Sequence, residues 1–181
     1  MPERGRARCL VEAYVYLDLV APGGSERASV TDEPGAWLVR ADDVEVLVPY
    51  AAEEAAGLQG ATFGAGVSEL LDPGQWVLIG AAYAGRALEA GLFFTADPSS
   101  GLEGYDTVVA DWSFAADAME EALKFLPGDA AELPLEAFWT EMGRSVRDAE
   151  PGRFSRAQME SDLAFYRQSL DDFRRLHPHW S

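Results

Sequence analysis

Between Val11 and Leu19 the odd positions Val11, Ala13, Val15, Leu17 and Leu19 are apolar, while Glu12, Tyr14, Tyr16 and Asp18 fill the even ones. Alternation of period two, rich in β-branched and aromatic residues, predicts a half-buried strand over 10–20 that Pro22-Gly23-Gly24 closes. Two shorter strands are expected at 36–40 and 44–48, with Asp42 and Asp43 in the turn and Pro49 as the stop. Residues 50–56, rich in alanine and glutamate, predict a short helix ended by Gly57. A glycine-rich loop through Gly60, Gly64 and Gly66 follows.

The runs 75–83 (QWVLIGAAY) and 87–95 (ALEAGLFFT) are almost continuously apolar and flank Ala84-Gly85-Arg86. They predict a hairpin in the middle of a sheet, covered on both faces. A polar loop over 97–104 and one more strand over 105–112 come next. Helical spacing then takes over: 113–126 behind Ser113, 135–149, and a last helix behind the capping box Ser155-Arg156-Ala157-Gln158. In that helix Met159, Leu163, Tyr166, Leu170, Phe173 and Leu176 recur at spacings of three and four, the period of one buried face. Strands before helices predict an α+β fold: an antiparallel sheet from the N-terminal two thirds with C-terminal helices packed on one face, in a single domain over 1–181.

Composition narrows the picture. Hydrophobic residues make up 48% of the 181, enough apolar surface to offset ordering entropy and exclude a disordered acidic tail. The single cysteine, Cys9, excludes a disulfide-stapled secreted fold and reads as an inert core thiol. Arg4, Arg6 and Arg8 precede an apolar run in the manner of a signal peptide, but Glu12 and Asp18 interrupt it. No stretch is expected to reach the ~20 apolar residues that span a bilayer, so the chain is expected to be cytoplasmic.

Charge adds a direction. The chain carries 31 acidic and 14 basic residues, net −17, which disfavours nucleic acid and anionic membrane as partners. Residues 41–143 hold 19 of the acids against Arg86 and Lys124 alone. Like charges within a Debye length of ~8 Å repel, and a cationic partner would relieve that repulsion.

No motif names a reaction. The segment 60–68 has the glycines of a phosphate cradle without its lysine, and no third glycine completes a dinucleotide fingerprint. The two histidines, His177 and His179, sit at the C-terminal end, so neither a nucleophile–histidine arrangement nor a metal site is expected, and no cofactor either. The carboxylate pairs are sequence neighbours, which diverge on a strand or helix and form no dyad by spacing. The reading is a small acidic binding domain, leaning away from an enzyme, with Asp42, Asp43, Glu45, Glu53, Glu54, Glu103, Asp106 and Asp111 facing a basic protein. Its sharpest form is an immunity protein or inhibitor neutralising a basic bacterial toxin such as a nuclease. The alternatives are an enzyme or small-ligand domain with a pocket between sheet and helices, and a self-assembling accessory protein whose arginines from Arg144 onward pair with a neighbour's acidic middle.

Overall fold

A computed structural model of the chain describes residues 4–180. The chain divides into two compact units, Met1–Asp72 and Pro73–Ser181. The α+β expectation holds, with strands confined to the first unit and the second helical among the described residues.

In the first unit β1 (Gly5–Arg6), β2 (Ser29–Glu33), β3 (Ala36–Ala41) and β4 (Val44–Pro49) form one sheet in the order β1-β4-β3-β2. It is mixed, not purely antiparallel, because β1 runs parallel to β4. Two prolines fix the register. Pro34 lacks an N–H, so the pair Glu33–Ala36 can close the hairpin only by exchanging its own hydrogen bonds. Across β3, Pro49 stands opposite Ala36 at a position that needs no donor, and the β3–β4 ladder bonds fall on Trp37–Val48 and Val39–Val46. Gly35 supplies the positive φ of 81° that the Pro-Gly turn requires. Val39, Val46 and Val48 are buried on one face, and β4 meets both α1 (Leu10–Val20) and α3 (Tyr50–Gln59). A single turn, α2 (Gly24–Arg27), precedes β2.

The strand expected over 10–20 is the helix α1. Cys9 caps it, its sulfur accepting the Glu12 N–H at 3.4 Å, and Glu12 is fully buried against Arg8 one turn back. An ionised side chain at that depth needs its partner, and Arg8, just before the cap, folds back to supply it. The helix α3 runs past Gly57 and stops at Gly60, whose φ is 62°.

The second unit corrects the sequence reading most. The expected hairpin is one helix, α4 (Pro73–Ala96); of the expected loop over 97–104, Pro98–Ser100 form a 3₁₀ turn, and 101–104, with the whole expected strand over 105–112, belong to α5 (Gly101–Leu123). Gly85 faces open space inside α4 and makes no turn. By length and composition alone α4 is apolar enough to cross a membrane, against the expectation that no segment would be. Ten of its residues are buried where it packs on α5 and on α6 (Glu141–Ala149). Ser113 is no cap; it lies inside α5 and its hydroxyl donates back to the Val109 carbonyl at 2.8 Å. Residues 135–137 form a separate 3₁₀ turn, and Thr140 starts α6 by accepting the Gly143 N–H at 2.9 Å. The last helix, α7 (Arg156–Leu176), begins at Ser155 as expected and buries Met159, Leu163, Tyr166 and Phe173 against neighbours that include α5. Half of the capping box forms: Ser155 accepts the Gln158 N–H, while the Gln158 amide turns forward to Asp162 at 2.8 Å.

Candidate functional site

In the first unit most of the singled-out carboxylates are already engaged. Asp42 stands in the β3–β4 turn with φ 52° and pairs with Arg27 at 2.8 Å. The Arg27 guanidinium holds its carboxyl below the usual range. Glu45 lies between Arg40 and Arg4, each with a nitrogen at 2.9 Å, and is held low by Arg40 first and Arg4 second. Glu53 accepts the Leu10 N–H at 2.7 Å, tying α3 to the start of α1. Asp43 and Glu54 are exposed. The acids of this unit therefore divide between structural and solvent-facing roles.

The tightest polar cluster here is built on Arg8. Its guanidinium and backbone N–H both donate to Glu12, the latter at 2.6 Å, and its far nitrogen donates to the Gly66 carbonyl at 2.5 Å. The glycine-rich loop is thus strapped to α1, and Gly64 passes so near that a Cβ would stand 2.3 Å from that of Arg8. Burial pushes the neighbouring Cys9 thiol up to about 11. This is a structural latch around an inert thiol, with no nucleophile poised in it.

In the second unit the α4–α5 pair carries a groove that the sequence reading did not foresee. Tyr83, Arg86, Ala90 and Phe93 recur at three and four along α4, with Asp97 four further on just past its end, and Ser100, Gly104, Thr107, Asp111 and Phe114 do so along the returning segment. Tyr83 stacks on Phe114 at 5.2 Å between centroids, and Arg86 reaches Asp111 at 3.1 Å. Beyond them the seam opens into a groove of about 360 Å³, with Ala90, Gly104 and Thr107 in its walls and Phe93 and Asp97 at its mouth. Phe93 is 70% exposed, and Glu103 and Asp106, one turn apart on α5, are exposed as well, though outside the lining. Among the described residues the lining holds no basic side chain.

Asp111 differs from the other acids. Its side chain is buried, burial raises its pKa, and Arg86 only partly offsets that rise. The far side of Phe94, also in the lining, is closed by the C-terminal end: His177 and Trp180 meet it edge-on at 5.1 and 5.9 Å, and His177 shares a hydrogen bond with Thr95. Trp180 thus tucks back onto its own unit. Of the C-terminal basic residues, Arg167 pairs with Glu120, Arg175 with Asp172 and Arg156 with Glu160. Among the eight predicted contact residues, the structure brings Glu103, Asp106 and Asp111 to one helix beside one groove. Phe93 and Gly104 carry no signal in the sequence because their seam is legible only once α4 and α5 are read as helices. Among the described residues no group of histidine, cysteine and carboxylate side chains is arranged to hold a metal ion. No family model matches this chain, and no characterised protein or solved structure is significantly similar to it.

Proposed function

We propose that this chain is an acidic protein-binding domain that engages a basic protein, in the manner of an immunity protein or inhibitor that covers the cationic surface of a toxin such as a nuclease. The observation that carries the reading is Phe93, 70% exposed at the mouth of the α4–α5 groove, with Asp97 in the same lining and the exposed acids Glu103 and Asp106 on α5, one of the two helices that wall it. An exposed aromatic beside small wall residues is the anchor type that dominates interface energetics. These acids steer a cationic partner and set its orientation. Carboxylates already paired with Arg27, Arg40 and Arg4 have less field to offer, which favours the groove over the β3–β4 turn.

The test is affinity capture from the native host at low and high salt, with wild type, Phe93→Ala and Glu103→Lys/Asp106→Lys. A basic protein retained by wild type at low salt and lost at least tenfold in both variants supports the reading. Capture indifferent to salt and to all three residues sinks it. A small-ligand or enzymatic role is the second reading, favoured by one observation: Asp111, a carboxyl raised by burial, lies on the same seam as the groove. A metabolite that changes the titration of Asp111 while Phe93→Ala leaves partner capture intact would favour it.

A further inference from the structure

The free edge of the sheet has a specific chemistry. The register set by Pro34 directs the backbone groups of Ser29, Thr31 and Glu33 at β3, so the N–H and C=O groups of Val30 and Asp32 point away from the sheet. Of the five residues of β2, the first four are exposed, with Val30 at 43%, and Glu33 is half-buried. Edge strands normally carry a guard: a charge held over the edge, a proline, or a bulge. Here the pairing with β3 is unbroken, and proline appears only after the strand ends. Both charges on β2 are drawn elsewhere: Asp32 accepts the Tyr50 hydroxyl at 2.9 Å, and Glu33 takes Arg4 at 3.2 Å. The edge is therefore left open.

We propose that β2 is a strand-addition site that accepts an extended, cationic peptide segment as a fifth strand of the sheet. Main-chain bonds to Val30 and Asp32 supply the attachment, and alternate side chains of the guest supply selectivity. Val30 and Asp32 share one face of β2 with Val39 and Trp37 across the ladder. A guest is therefore favoured that sets a β-branched residue beside Val30 and an arginine or lysine two positions away beside Asp32. Exposed Glu26, just before the strand, extends the same preference. A second copy of this chain is the disfavoured occupant, since net −17 on each partner opposes the approach. The inference rests on the proposed function only for the sign of the guest's charge.

The experiment uses the full chain and a synthetic decapeptide alternating threonine with arginine and valine. A second peptide of the same sequence carries N-methyl groups on alternate amides, which keeps the charge and removes the strand's bonds. Amide exchange is read residue by residue. The expected result is at least tenfold slower exchange at Val30 and Asp32 with the first peptide and no change with the second. Val30→Pro, which removes an outward N–H and leaves the β2–β3 bonds in place, is expected to weaken peptide binding at least tenfold. Equal binding of both peptides, self-association in place of binding, or protection at residues 93–107 instead of β2 overturns the proposal. Because the peptide pair is compared on wild type, the outcome stands even if the proline variant misfolds. Glu103→Lys/Asp106→Lys is expected to leave this protection unchanged. Failed host capture beside intact protection at Val30 thus counts against the groove alone, and the converse against β2 alone.

Discussion

Arg86 on α4 reaches across to Asp111 on α5 at 3.1 Å, and the two ends of this ion pair live in different solvents: Arg86 is 61% exposed, Asp111 only 6%. Desolvation dominates the carboxylate, so its pKa is raised in the folded chain. A carboxyl raised on folding binds its proton more tightly in the native state, so its contribution to stability falls as pH rises from the unfolded value through the folded one. Asp111→Asn is expected to remove that downward slope and to match or exceed wild type at pH 7. Arg86→Ala leaves the buried carboxylate unpartnered and is expected to cost about 1–3 kcal/mol at pH 7, less at pH 4. Denaturant melts of the three proteins across pH 4–8 check both; an Asn variant with the wild-type slope would remove Asp111 as its source.

Glu12 is the opposite arrangement, a carboxylate with no exposure whose oxygens accept the Arg8 guanidinium and backbone N–H. Cutting one partner out of a buried pair costs about 3–5 kcal/mol, because the other charge stays behind. Glu12→Ala is expected to fall in that range, and Arg8→Ala to release the Gly66 carbonyl as well. Hydrogen exchange over residues 61–71 reports the loop directly. Faster exchange there than in β3 and β4 would show local release of the strap; uniform acceleration would show that Glu12 supports the whole unit.

How much of this was legible in the sequence depended on where the period was unambiguous. The β3–β4 hairpin was read correctly because Asp42-Asp43 and Pro49 punctuate it, and α7 because Ser155 and the Met159–Phe173 spacing leave one solution. Helix α4 was missed because nearly every position is apolar, and a buried helix and a buried strand then share one pattern; Gly85 supplied a false break. Helix α1 was missed because its apolar odd positions imitate the alternation of a strand, and the Arg8–Glu12 pair that anchors its start lies partly outside the helix. Strand β2 has alternation too short to register, and its pairing depends on Pro34, whose meaning is plain only with β3 beside it. The groove inherited the error in α4, since Phe93 and Gly104 meet only if both segments are helical.

Gly74 sits where α4 passes α6 at Gly143, and a Cβ there would stand 2.6 Å from the Gly143 Cα and 2.7 Å from its carbonyl oxygen. Both obstacles are backbone, so neither yields by rotating a side chain. Gly74→Ala is expected to cost at least the ~1–3 kcal/mol typical of overpacking. Gly85→Ala, in open space on the same helix, is expected to stabilise by up to about 1 kcal/mol through helix propensity. Thermal melts of the two variants give opposite signs if the α4–α6 contact is as close as described, and equal small shifts if it is not.

Cys9 is expected to be chemically silent for a physical reason. The thiol is buried, caps α1 through the Glu12 N–H, and has its pKa pushed up to about 11, chiefly by desolvation. At pH 8 about one molecule in a thousand then carries the thiolate, the only form that attacks a disulfide. Labelling with an aromatic disulfide reagent is expected to run on the order of 10²-fold slower than a free cysteine. It should accelerate with urea as opening becomes frequent. Cys9→Ser keeps an acceptor for the Glu12 N–H, whereas Cys9→Ala removes it at about 1 kcal/mol, the usual value of a helix cap. Labelling of the native chain at the rate of a free thiol, unmoved by urea, would mean that the start of α1 stands open and that the Arg8–Glu12 strap beside it does not hold.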